Sequence, residues 1–155
     1  MTTLLRAPLI ASFSLAIASC AMFGPSKQYT EADGDIPEGT MLVVRLEAPI
    51  ASRFAHLNEP VRARSTVDVM TDTGVLMLPR GTLFMGSVHD RRGQKIWLRL
   101  DRAVVAGKDQ AVRARFLGSE NGFVGNLHAG DELVVRLDRP MWSVAALREQ
   151  MSTTR

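Results

Sequence analysis

A chain of 155 residues with 46% hydrophobic content is long enough for one domain with a core of its own, and with only 6% aromatic residues that core must be mostly aliphatic. The formal charge is a modest +3, and the 19 basic residues are almost all arginine. Arginines set singly among apolar residues suit half-exposed sheet faces and exclude a concentrated nucleic-acid patch.

The chain opens with Arg6 and an apolar run from Leu9 to Ile17 that is too short to span a bilayer as a mature helix. The run ends in Leu15-Ala-Ile-Ala-Ser-Cys20, with small residues before the only cysteine of the chain. A lone cysteine cannot form an internal disulfide. This stretch resembles the lipobox of bacterial lipoproteins. The resemblance implies that residues 1–19 are a signal peptide and that Cys20 is lipidated on its sulfur and on its new amino group. Several acyl chains anchor firmly where one is marginal. Ala21 follows the cysteine, and by resemblance to enteric sorting patterns the absence of aspartate favours the periplasmic face of the outer membrane. Residues 20–35 carry Gly24-Pro25-Ser26 and mostly polar side chains, and read as a flexible tether.

Residues 36–141 read as strands and turns. Ile36-Pro-Glu-Gly-Thr-Met-Leu-Val-Val-Arg-Leu-Glu-Ala-Pro-Ile50 is a glycine turn followed by a strand over Thr40–Glu47. Leu42, Val44 and Leu46 fall on one face; Val43, Arg45 and Glu47 fall on the other. Glu47 beside Arg45 reads as an ordinary surface ion pair. Val61–Met70 alternates as one strand, with Val61, Ala63, Ser65, Val67 and Val69 together and Arg62 and Arg64 opposite. Asp72-Thr-Gly74 is a turn, Val75–Leu78 a short strand, and Pro79-Arg-Gly81 turns into Thr82–His89. Asp90-Arg-Arg-Gly93 is a further turn. In Lys95–Leu100 the pattern puts Ile96, Leu98 and Leu100 inward and Lys95, Trp97 and Arg99 outward. Ala106–Asp109 turns into Gln110–Leu117, and Gly118–Gly125 reads as a mobile loop. Leu127-His-Ala-Gly-Asp-Glu-Leu-Val-Val-Arg-Leu-Asp-Arg-Pro-Met141 then repeats the opening stretch, identical at seven of fifteen positions at an offset of 91. The first and last strands are expected to play equivalent roles, as neighbours that close a small barrel. Residues 142–155 form a short helix and tail, with Ser143 as its cap. The fold class is all-β, a small barrel or sandwich of about seven or eight short strands with a short C-terminal helix.

The chemistry of a catalyst is missing from the sequence. His56, His89 and His128 lie in separate segments with no thiol partner, so no metal set forms by spacing. Gly86-Ser87-Val88 is no nucleophile elbow, and Gly118–Gly125 is no phosphate loop. The expectation is a non-enzyme without cofactor or metal. Exposed Trp97 between Lys95 and Arg99, with Arg45, Arg62 and Arg64, marks a partner-contact surface; the ring packing over neighbouring strands is the alternative.

One pattern goes further. Ile36-Pro-x-Gly-Thr40, Pro60-Val-Arg-Ala63, Val67-x-Val69, Leu78-Pro-x-Gly-Thr-x-x-x-Gly86, and Gly93-Gln94 before Trp97-Leu-Arg-Leu-Asp-Arg102 together resemble the C-terminal β-barrel domain of TrbI-like conjugation and type IV secretion core proteins. The resemblance covers about Ile36–Val105. It implies a barrel that packs beside neighbours in the envelope, with homo-oligomers possible. A lipobox stands where that family has an inner-membrane helix and stalk, and only Asn121–Gly125 stands where it has a membrane-spanning antenna. Two expectations follow: a scaffold or assembly component of a secretion- or conjugation-type envelope complex, or a stand-alone periplasmic module that binds an anionic envelope ligand such as peptidoglycan or lipid A.

Overall fold

Alternation builds the sheet. In Met41–Leu46 the side chains of Leu42, Val44 and Leu46 are buried while Arg45 is exposed, and Pro60–Ser65 repeats this with Val61, Ala63 and Ser65 inside. Period-two burial on one face is what a strand lining a core requires. The computed structural model describes residues 35–118 and 121–153; the expected signal peptide and Cys20 lie outside the described residues. In chain order the strands are β1 (Asp35–Ile36), β2 (Met41–Leu46), β3 (Ile50–Ala51), β4 (Pro60–Ser65), β5 (Val69–Met70), β6 (Leu76–Leu78), β7 (Leu83–Arg92), β8 (Lys95–Val105), β9 (Lys108–Phe116), β10 (Phe123–Val124), β11 (Asn126–Leu127), β12 (Glu132–Leu137) and β13 (Met141–Trp142). The helix α1 (Val144–Thr153) follows.

Six strands form a closed barrel. Each of β2, β4, β7, β8, β9 and β12 pairs antiparallel with the next in chain order, and β12 returns to β2. The fold is therefore an up-and-down meander without free edges among these strands. Its interior is filled by Leu42, Val44, Phe84, Leu100, Phe116 and Leu137, each at most 2% exposed, among others. Burying each such side chain contributes about 1.5–3 kcal/mol.

The expected neighbours are neighbours. β12 lies against β2 with Val134 opposite Val43, Leu133 opposite Val44 and Val135 opposite Leu42. The two copies are related by a local twofold through the Val43–Val134 pair. Gly39 N–H donates to the Leu137 carbonyl at 2.8 Å, and its counterpart Gly130 N–H donates to Leu46 at 2.9 Å. Both glycines have positive φ, 85° and 95°, where a side chain is strained. The twofold extends outward. Val61-Arg-Ala-Arg64 on β4 and Val112-Arg-Ala-Arg115 on β9 are identical, and Arg64 sits opposite Arg45 as Arg115 sits opposite Arg136. That second pair is offset by 51 residues in place of 91.

Four expectations are redrawn. The single strand Val61–Met70 breaks after Ser65, because the barrel rim is reached. Asp68 there accepts the Arg80 N–H at 2.6 Å, Val67 is left 48% exposed, and Val69–Met70 starts a separate hairpin with β6. The turn expected at Asp90–Gly93 shifts to Gly93-Gln94, since Asp90, Arg91 and Arg92 continue the ladder opposite Trp97, Ile96 and Lys95. The loop Gly118–Gly125 contains β10, which adds to the edge of β8 beyond β9 and sets Phe123 edge-on to Phe116 at 6.2 Å. Glu47 pairs with Arg64 at 2.5 Å across the strands, and Arg45 pairs with Glu132 at 2.7 Å. Glu132 stands directly opposite Arg45 and closer than Glu47 two residues along the same strand, and Glu47 is left to the diagonal Arg64.

The helix closes the end of the barrel at which Asp35 enters. Ser143 caps it through its Oγ, which accepts the Ala146 N–H at 3.2 Å, and Val144 and Leu147 are buried where α1 meets β6 and β13. The barrel depends on close approach at one further point. Beside the bulge between Met85 and Gly86, a β-carbon on Gly86 would overlap the Arg99 carbonyl and the Leu100 Cα. Gly86→Ala is expected to cost about 2–3 kcal/mol in a denaturant titration, whereas a change within about 0.5 kcal/mol, ordinary for a benign site, would show that the β7–β8 ladder relaxes around it.

Candidate functional site

The outward positions of β8, β9 and β12 carry arginines in direct register. Arg99 stands opposite Arg115, and Arg115 opposite Arg136. Directly opposed residues on neighbouring strands have β-carbons about 5 Å apart, and like charges there repel. The related half of the barrel relieves the same row. There the order is Leu83, Arg64, Arg45, Glu132, so an apolar residue replaces one end arginine and a carboxylate terminates the other. In the first row the strand beyond Arg136 presents Met41, which is 64% exposed and carries no charge.

The unrelieved row lines a cleft of about 540 Å³. Arg99, Arg113, Arg115 and Arg136 face it, His89, Trp97 and Asp138 complete its walls, and Leu98, Phe116 and Leu117 supply apolar surface. Arg99 Nε is held by Asp101 at 2.6 Å and Arg115 Nε by Asp138 at 3.1 Å. Among the described residues no carboxylate forms an ion pair with Arg113 or Arg136. Four guanidinium groups thus share two carboxylates, a net charge near +2 on one concave surface.

Trp97 is the fixed wall. The Arg92 guanidinium lies 5.4 Å from the centre of its ring. Gly122 approaches the ring so closely that a β-carbon would stand 2.9 Å from its Cζ2 atom. The indole is half-buried: it packs against Gly122 of the 121–124 segment and also lines the cleft.

Of the residues expected at a contact surface, the structure brings Trp97 and Arg99 together in the cleft. Arg45, Arg62 and Arg64 sit on the outer face of β2 and β4, outside it, with Arg45 and Arg64 each bound to a glutamate. Cys20 lies outside the described residues. Arg113, Arg115 and Arg136 were not picked out from the sequence as site residues, though the second Val-Arg-Ala-Arg motif and the second Leu-Val-Val-Arg-Leu carry them in plain view. No group of three or more metal-ligating side chains occurs among the described residues. The chain matches no protein-family model and no curated protein.

A row of like charges should weaken the fold that carries it. Arg136→Gln is expected to raise the unfolding free energy by about 0.2–1 kcal/mol at low salt, with the gain shrinking near 1 M salt, where screening acts over about 3 Å. Arg45→Gln, which leaves Glu132 unpaired, should lower it by up to about 1 kcal/mol. Equal losses for both variants would show that the row is not repulsive.

Proposed function

We propose that the protein is a non-enzymatic, lipid-anchored envelope module whose barrel binds an anionic envelope ligand on the β8–β9–β12 face. The observation that carries this reading is the arginine row left without enough counter-charge beside a cleft of about 540 Å³. Stability given up on a surface is a mark of binding sites, and planar guanidinium forks match carboxylate and phosphate oxygens two at a time. The anchor is the lipid on Cys20, and the periplasmic face of the outer membrane is the proposed location.

A second reading, as a TrbI-like scaffold component of a secretion- or conjugation-type complex, is favoured by a different observation. At the end of the barrel away from Asp35, β3 and β11 clip two segments together, and these expose Phe54 (70%), Val124 (62%) and Leu57 (59%). Exposed apolar groups held close together suit a protein contact.

Retention of the purified full chain on isolated envelope fractions separates the two. The module reading expects retention that salt abolishes and that the double variant R113Q/R136Q weakens at least tenfold, while R45Q/R62Q on the related face changes it little. Equal loss in both double variants would reduce binding to unspecific charge. Salt-resistant co-purification of a large crosslinked particle, lost with Phe54→Ser and Leu57→Ser, would make the scaffold reading primary. Cys20→Ala should move the protein out of the membrane fraction and abolish labelling by a fatty-acid probe; unchanged fractionation would remove the anchor from the proposal.

A further inference from the structure

Resting on the anion-binding reading, we propose that the cleft takes a saccharide phosphomonoester, its phosphoryl group held at the arginine row and its sugar against Trp97. Charge comes first. Arg99 and Arg115 are each held by a carboxylate, so Arg113 and Arg136 remain to be neutralised. A phosphomonoester carries about −1.5 to −2 near neutral pH, which matches that remainder; a carboxylate or a phosphodiester carries half of it.

Spacing comes second. Arg113 lies diagonal to Arg136, whose direct partner is Arg115; diagonal neighbours are about 7–8 Å apart, within the reach of two long guanidinium side chains that converge on the three oxygens of one phosphoryl group. Size comes third. Clefts of about 300–1,000 Å³ hold ligands much larger than an inorganic anion, and this one has about 540 Å³. The same lining includes the indole of Trp97 on β8, His89 next to it on β7, and Asp138 just past the end of β12. A flat ring suits the C–H face of a sugar. A carboxylate at the wall accepts hydrogen bonds from hydroxyls and repels a second phosphoryl group placed beside it. Asp138 is also the partner of Arg115 at 3.1 Å, so the acid that orients this arginine is the one that would sort hydroxyls from phosphates.

The test is calorimetric titration of the full chain in detergent micelles with N-acetylglucosamine 1-phosphate, N-acetylglucosamine, inorganic phosphate and phenyl phosphate, a phosphomonoester without a sugar. The expected order puts the sugar phosphate at least tenfold tighter than each of the others. Arg136→Gln should weaken it at least tenfold and Trp97→Leu at least fivefold, while Arg45→Gln, on the related face, changes it less than twofold. Arg136→Gln keeps the barrel core intact, so its result stands even if the tryptophan variant fails to fold. If inorganic phosphate or phenyl phosphate binds as tightly as the sugar phosphate, the saccharide assignment falls and the anion site remains. If no phosphate binds while salt-sensitive retention on envelope fractions persists, this inference alone falls; if both vanish, the module reading falls with it. Competition with vesicles fixes the source. Displacement by a glycolipid with a phosphorylated sugar headgroup, and not by phosphatidylglycerol, assigns a membrane ligand; no displacement by either assigns a soluble or wall-borne one.

Discussion

Everything in this molecule depends on the pairing of β2 with β12. A meander of six antiparallel strands has two edges until its first and last members meet, and here they meet with Val134 opposite Val43. Closure requires both strands to turn in over the core at matching heights. The Gly39 and Gly130 turns do this, each sending an N–H to a carbonyl at the end of the other strand. Pairing across such a seam is self-complementary when both strands carry the same sequence, and Leu-Val-Val-Arg-Leu is what both carry. The same logic accounts for Val-Arg-Ala-Arg on the next strand out on each side. The offsets differ, 91 for one pair and 51 for the other, and the strand order is reversed between the halves. A single tandem duplication produces neither result. Both likenesses follow the local twofold of the antiparallel barrel.

The site arises where that symmetry is broken. Both halves present arginines at related positions, and both pair the outer arginine with an acid, Arg64 with Glu47 and Arg115 with Asp138. They part at two positions. Glu132 answers Arg45, but Met41 faces Arg136; Leu83 flanks Arg64, but Arg99 flanks Arg115. These two differences make the β8–β9–β12 face the more basic one, with four arginines to two aspartates against three arginines to two glutamates on the related face. The scaffold around it is shared, so one half serves as the internal control for the other.

The barrel was legible because its information is local. Period-two burial in Leu42–Leu46, Val61–Ser65 and Ile96–Leu100 is written directly in the residues, and the repeated stretch named its own partner. Strand ends were less legible. Val67 and Val69 continue the alternation of β4, yet the rim intervenes, and no single residue marks a rim. Of the site, only Trp97 and Arg99 were legible. The rest was not, because register decides it: Arg136 beside Arg115 is a hazard and Arg45 beside Glu132 is an ion pair, and the sequence places both arginines in the same five-residue motif. Glu47 shows the same limit, since its partner comes from β4, 17 positions along the chain.

The long reach of the seam also has a kinetic side. Most ladders here join consecutive strands and can form as soon as a hairpin exists, as β7 with β8 does. The seam between β2 and β12 joins residues 91 apart and must wait for the last strand, with the loop-closure cost that such separation carries. Topologies dominated by such non-local contacts fold on slow timescales, milliseconds to seconds. Until then β2 exposes an unpaired edge, Met41–Leu46, whose central residues are all apolar or small in charge demand save Arg45. Arg45 is the one charged residue on this edge, and a charge on an open edge opposes its pairing with a second copy.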